Sequence, residues 1–77
     1  MIKFNKPEIT KYSDNGTIEY TESMIQHVSK CGKYRIYRFY SDNSYTVEFH
    51  NGMGFEPIEF GIRGLKTAKE FVNEVAK

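Results

Sequence analysis

The chain has 77 residues and a formal net charge of +1, which leaves room for one domain spanning 1–77 and lacks the basic excess of a dedicated nucleic-acid binder. Its single cysteine excludes a disulfide framework and points to a reduced, cytoplasmic setting. No apolar run approaches membrane-spanning length and "MIKFNKPEIT" has no signal-peptide core, so no membrane partner is expected.

Tyr and Phe make up 16% of the residues and Trp is absent, so the core should be rich in small aromatic rings. In chain order, a strand is expected near Ile9 to Tyr12. Asp14, Asn15 and Gly16 form the strongest hairpin signal in the chain, and a second strand is expected near Thr17 to Thr21. The stretch 24–33 is ambiguous. Met24, Ile25, Val28 and Cys31 fit a helical stripe capped by Gly32, but the same residues read slightly better as a strand turning at Cys31 and Gly32.

The middle is a hairpin, "KYRIYRFY" followed by "SYTVEFH", joined by a polar cluster. A three-residue loop of Ser41, Asp42 and Asn43 would pair Tyr40 with Ser44, Tyr37 with Val47 and Arg35 with Phe49. That register gathers Tyr37, Phe39, Val47 and Phe49 on one apolar face. Tyr34, Ile36, Arg38 and Tyr40 then share the other face with Thr46, Glu48 and His50, where Arg38 and Glu48 could form a surface pair.

"EPIEFGI" reads as an edge strand, because Pro57 cannot donate to a ladder. The C-terminal "LKTAKEFVNEVAK" places Leu65, Ala68, Phe71, Val72, Val75 and Ala76 on one helical stripe. Thr67 and Glu70 have capping-box spacing, so the helix is expected from about 68 to 76. The sum is an α+β fold: an antiparallel sheet of about four to five strands, a meander of hairpins, with one C-terminal α-helix packed on one face. Phe71, Val72 and Val75 would cover Tyr37, Phe39, Val47 and Phe49, leaving the other face open.

The tetrapeptide "YSDN" occurs twice, from Tyr12 and from Tyr40. Asp and Asn suit tight turns and the β-branched residues that follow suit strands. Two independent hairpin solutions explain the repeat better than a duplicated binding unit.

Enzymatic chemistry finds little support. His27, His50 and Cys31 lack the paired spacing of a zinc site, so no metal and no cofactor are expected. Ser41, Asp42 and His50 have no nucleophile context, and the glycines of "NGMGFEP" precede no capped helix that could cradle a phosphate. Glu56 and Glu59 read as solvated carboxylates.

Two binding classes remain. Lys30, Lys33, Arg35 and Arg38 interleave with Tyr34 and Tyr37 in the manner of a single-stranded nucleic-acid binder, centred on Lys30, Lys33, Arg35, Tyr37 and Arg38. Against it, segment 42–59 carries Asp42, Glu48, Glu56 and Glu59 with no Lys or Arg, and lies beside the basic strand. Protein binding fits better, through Tyr34, Ile36, Arg38, Tyr40, Glu48 and His50, since Tyr and Arg are enriched at interface hot spots. The favoured expectation is a non-enzymatic protein-binding module acting by occlusion. Small size and heavy use of Lys, Ile, Asn and Tyr, all served by AT-rich codons, suggest an inhibitor of a host protein, such as a defence protein, encoded by a phage or mobile element. A small structural protein that homodimerises through the same face is the third reading.

Overall fold

The computed structural model describes residues 1–13 and 21–76. Five strands, β1 (Glu8–Ser13), β2 (Thr21–Val28), β3 (Tyr34–Phe39), β4 (Tyr45–His50) and β5 (Phe55–Ile62), form one antiparallel sheet in the order of the chain. A single helix, α1 (Leu65–Val75), follows. This is the expected meander with a C-terminal helix. The first YSDN turn and most of the strand expected after it fall outside the described residues.

Of the stretch left ambiguous between helix and strand, residues 24–28 form most of β2, which pairs Ile9 with Ile25 on one side and Ile36 with His27 on the other. Gly32, at φ 78°, provides the left-handed residue that turns β2 into β3. Ser29 closes this turn: its backbone N–H donates to the Tyr34 carbonyl at 2.9 Å, and its Oγ accepts the Tyr34 N–H at 3.0 Å.

The β3–β4 register differs from the expected one. Tyr34 lies opposite Phe49, Arg35 opposite Glu48, Ile36 opposite Val47 and Tyr37 opposite Thr46. The connection is longer than three residues, spanning Tyr40 to Ser44, with a turn closed by the Asp42 N–H donating to the Phe39 carbonyl at 2.9 Å. The shift by one residue exchanges the faces of β3. It sets two β-branched residues against each other in the core and gives Glu48 a cationic partner, which the alternative would have placed opposite no cation.

α1 therefore covers Tyr34, Ile36, Val47 and Phe49, and leaves Tyr37 and Phe39 on the opposite face. Ile36, Val47, Ala68 and Val72 are fully buried, with Tyr34 beside them and Tyr45, Phe49, Ile62, Leu65 and Phe71 around the margin. Val75, expected in the stripe, is exposed at the end of α1.

The helix also starts earlier than its capping-box spacing implies. Gly64, at φ 95°, occupies the N-cap, its carbonyl accepts the Ala68 N–H, and no side chain caps the end. Thr67 and Glu70 thus lie inside the first turns and do not act as a capping pair. A glycine adopting this φ without strain sets the boundary in place of the Thr oxygen.

The N-terminal residues contribute more than their sequence suggests. Phe4 bridges to Ser29, the Asn5 N–H donates to the Val28 carbonyl, and the Lys30 N–H donates to the Lys3 carbonyl. This extension of the β2 ladder brings Ile2 and Phe4 against the core, and the Ile2 N–H donates to Asn73 Oδ1 on α1 at 2.7 Å. β5 is an edge strand, as Pro57 requires, and its pairing with β4 is broken by register shifts around Val47. Among the described residues no helix is long and apolar enough to cross a membrane.

Candidate functional site

The sheet face turned away from α1 is built by strand alternation. Residues Arg35, Tyr37 and Phe39 of β3 point there together with their cross-strand neighbours: Val28, Gln26 and Met24 on β2, and Glu48 and Thr46 on β4. His50 continues the β4 row and pairs with Phe55 at the start of β5. No described element lies across this surface.

Arg35 is its organising residue. Its Nε donates to Glu48 Oε1 at 2.6 Å and its Nη2 forms an ion pair with the same carboxylate. The guanidinium lies 4.6 Å from the Phe55 ring centroid and 5.6 Å from that of Tyr37, within cation–π range of both. Tyr37 in turn meets Phe39 edge-on at 5.9 Å, and Phe55 meets His50 edge-on at 5.1 Å. The outcome is a row Phe39–Tyr37–Arg35–Phe55–His50 whose members hold one another in place. Glu48, almost fully buried, neutralises its only cation.

The structure divides the residues singled out in the sequence. Tyr34 and Ile36 are core residues beneath α1, so the six proposed partner-binding residues do not share one open face. Glu48 and His50 do belong to the open face, on the side opposite Tyr34 and Ile36. Arg38 is on the helix side, over the Tyr45 ring, and Tyr40 is exposed at the hairpin tip. The surface pair of Arg38 with Glu48 is not formed: the observed register puts the two on opposite faces, and Arg35 takes the carboxylate. Of the basic set, Arg35 and Tyr37 are on the open face, while Lys30 and Lys33 are exposed at the β2–β3 turn.

Arg38 has a different task. Its Nη1 donates to the carbonyl of Asp42 at 2.9 Å, and more distantly to those of Phe39 at 3.3 Å and Tyr40 at 3.5 Å. It ties the hairpin tip to the strand that feeds it. Arg38→Ala is expected to loosen this tip and cost about 1 kcal/mol, since hydrogen bonds from a charged donor are partly solvent-exposed here. Amide exchange at Tyr40 to Ser44 that stayed at wild-type rates would contradict this role.

Chemistry-bearing groups elsewhere do not converge. Ser41 and Asp42 sit at the hairpin tip, and His50 lies at the far end of β4, about 17 Å along the strand. The His50 Nδ1 accepts the Gly52 N–H, and Asn51 Oδ1 accepts the N–H groups of Met53 and Gly54, so the "NGMG" segment is a turn folded by its own side chains. Cys31 is exposed at its turn, 3.3 Å from Ser29 Oγ, and the Ser29 hydrogen bond leads the causes that lower its thiol pKa. Among the described residues no three of His, Cys, Asp and Glu form a group that could hold a metal ion.

Phe39 and Phe55 belong to the row, although the sequence reading places Phe39 under the helix and assigns Phe55 to no site. The signal that could have found them was the possible charge pairing of Arg35 with Glu48, which selects the observed register. Comparison with protein-family models, curated proteins and solved structures finds no match to this chain.

Proposed function

We propose that this protein is a non-enzymatic protein-binding module that acts by occluding a partner surface through its open sheet face. The observation that carries this reading is the clamped Arg35, held between Phe55, Tyr37 and the Glu48 carboxylate on that face. Rigid aromatic rings and a preorganised guanidinium are the components of interface hot spots, because they bring large contact area with little ordering cost. A paired charge on an otherwise apolar and polar-neutral strip suits a protein surface better than a phosphate backbone, which would meet the Glu48 carboxylate beside Arg35. Within this class, an inhibitor of a host protein encoded by a phage or mobile element fits the small size and the AT-rich residue usage.

The test is affinity capture from a candidate host, followed by titration of the captured protein against face variants. Tyr37→Ala and Phe55→Ala are each expected to weaken binding by about 2 kcal/mol, roughly 30-fold, while Lys66→Ala on the exposed side of α1 leaves it unchanged. A partner bound equally well by both ring variants would refute the face. A salt-sensitive complex with mixed-sequence oligonucleotides, lost on replacing Arg35 and Tyr37, would establish the nucleic-acid reading instead. Concentration-dependent dimerisation abolished by Tyr37→Ala would assign the face to self-association.

A further inference from the structure

His27 stands apart from the open face. It lies on β2 opposite Ile36, on the side of the sheet that packs against α1, and is 5% exposed. Its ring is tilted against that of Tyr45 at 6.5 Å between centroids, and its buried Nε2 has no hydrogen-bond partner. Ser29, just beyond the end of β2 and two residues from His27, bridges to Phe4, whose ring centroid is 5.3 Å from the Lys69 ammonium of α1.

The charged surroundings are uniformly unhelpful to an imidazolium. α1 contributes Lys69, while Glu70 and Glu74 are on its exposed side. From β3 comes Ile36, and Arg38 further along is engaged with the hairpin carbonyls. β4 contributes Tyr45, a neutral ring, and Glu48 is held by Arg35 on the other face. The N-terminal segment brings Lys3 and Lys6 and no acid before Glu8, which accepts a hydrogen bond from Gln26. Burial first, and the Lys69 charge second, hold the His27 pKa below its usual value.

A protonated ring must reach water, and the two walls around it differ in how they can yield. β2 is locked between β1 and β3 by backbone ladders, and residues 3–5 are locked to β2 in the same way. α1 is held to the sheet by side-chain packing, with the Ile2 N–H to Asn73 bond joining it to the N-terminal segment.

We infer that His27 is a proton-sensitive latch: when its imidazole is charged, α1 lifts from the sheet and uncovers Tyr34, Ile36 and Val47. The closed state binds fewer protons than the open one, so closure is fully favoured above the unperturbed His value near 6.5 and is lost as pH falls below it. One proton sets the limit, an opening constant that rises at most about tenfold per pH unit.

Hydrogen exchange of the full chain between pH 7.5 and 5.5, corrected for intrinsic exchange rates, tests the latch. The opening constant of the α1 amides should rise up to about fivefold over the pH unit below 6.5, because the open-state imidazole is already half-protonated at the start of that window, with the β3–β4 ladder unchanged. His27→Leu should flatten the pH dependence of α1. Lys69→Gln, which keeps the ring, should shrink the rise by removing the neighbouring cation. The latch is overturned if α1 protection is independent of pH, if His27→Leu keeps the wild-type rise, or if all strands lose protection together with α1.

Discussion

Ile36→Ala should remove about 2–5 kcal/mol of folding stability, whereas Tyr37→Ala, one residue further along β3, should remove well under half as much. Ile36 is 0% exposed, faces Val47 across the strand pair and lies under Ala68 and Val72 of α1, all equally buried. Truncating it strips methyl groups from a site whose walls are a hydrogen-bonded sheet and a packed helix, so the cavity cannot readily collapse. Tyr37 is half-buried on the open face, where its ring meets Phe39 and the Arg35 guanidinium and no helix packs over it. For a domain of this size the whole stability is about 4–12 kcal/mol, so Ile36→Ala approaches the point of unfolding. Urea denaturation of the two variants measures the difference. Were the rings of Tyr37 and Phe39 under the helix, as the three-residue hairpin loop implies, the order of the two costs would be reversed.

That comparison also marks what could be read from the residues. The existence and order of the elements were legible because local chemistry sets them: aromatic and β-branched runs, Pro57 at an edge and the helical stripe from Leu65 onwards. Register was not, because it depends on a single unit of loop length, and Ser41, Asp42 and Asn43 are compatible with more than one turn. The stripe and the sheet were matched by apolarity alone. Summing hydrophobic residues favours Tyr37 and Phe39 as core, but Ile36 and Val47 fit the narrow gap between sheet and helix better than large rings do. The helix start was misplaced for a related reason: Thr67 and Glu70 have the right spacing, yet Gly64 can adopt a conformation that the Thr cannot, and it begins the helix sooner.

The open face was legible only in parts. Arg35 and Tyr37 were visible as a basic-aromatic pair, and Glu48 and His50 as members of a binding set, but they were assigned to different faces. Once β3 and β4 are aligned with Arg35 opposite Glu48, both pairs fall on one surface together with Phe39 and Phe55. The contribution of Ile2 and Phe4 had no local signature at all. It arises from a bridge to Ser29, a contact between distant parts of the chain.

Glu48→Ala should cost about 1–3 kcal/mol and disorganise the face without disturbing the core beneath α1. Breaking a fully buried ion pair by removing one partner costs about 3–5 kcal/mol, because the remaining charge has lost its compensation. Here the Arg35 side chain is 29% exposed, so water can take over part of that role and the cost is correspondingly lower. The effect should be strongly non-additive. With Arg35→Met in the same chain, the unpaired cation is gone, and the double variant should be more stable than Glu48→Ala alone. A double-mutant cycle by urea denaturation reads this coupling directly; a value near zero would mean that the carboxylate does not hold the guanidinium. The structural consequence reaches the proposed interface. Without Glu48, Arg35 is no longer fixed between Phe55 and Tyr37, so Glu48→Ala should slow partner association or weaken the complex even though Glu48 itself is nearly inaccessible. The double variant separates the two effects, because it should recover stability without recovering binding.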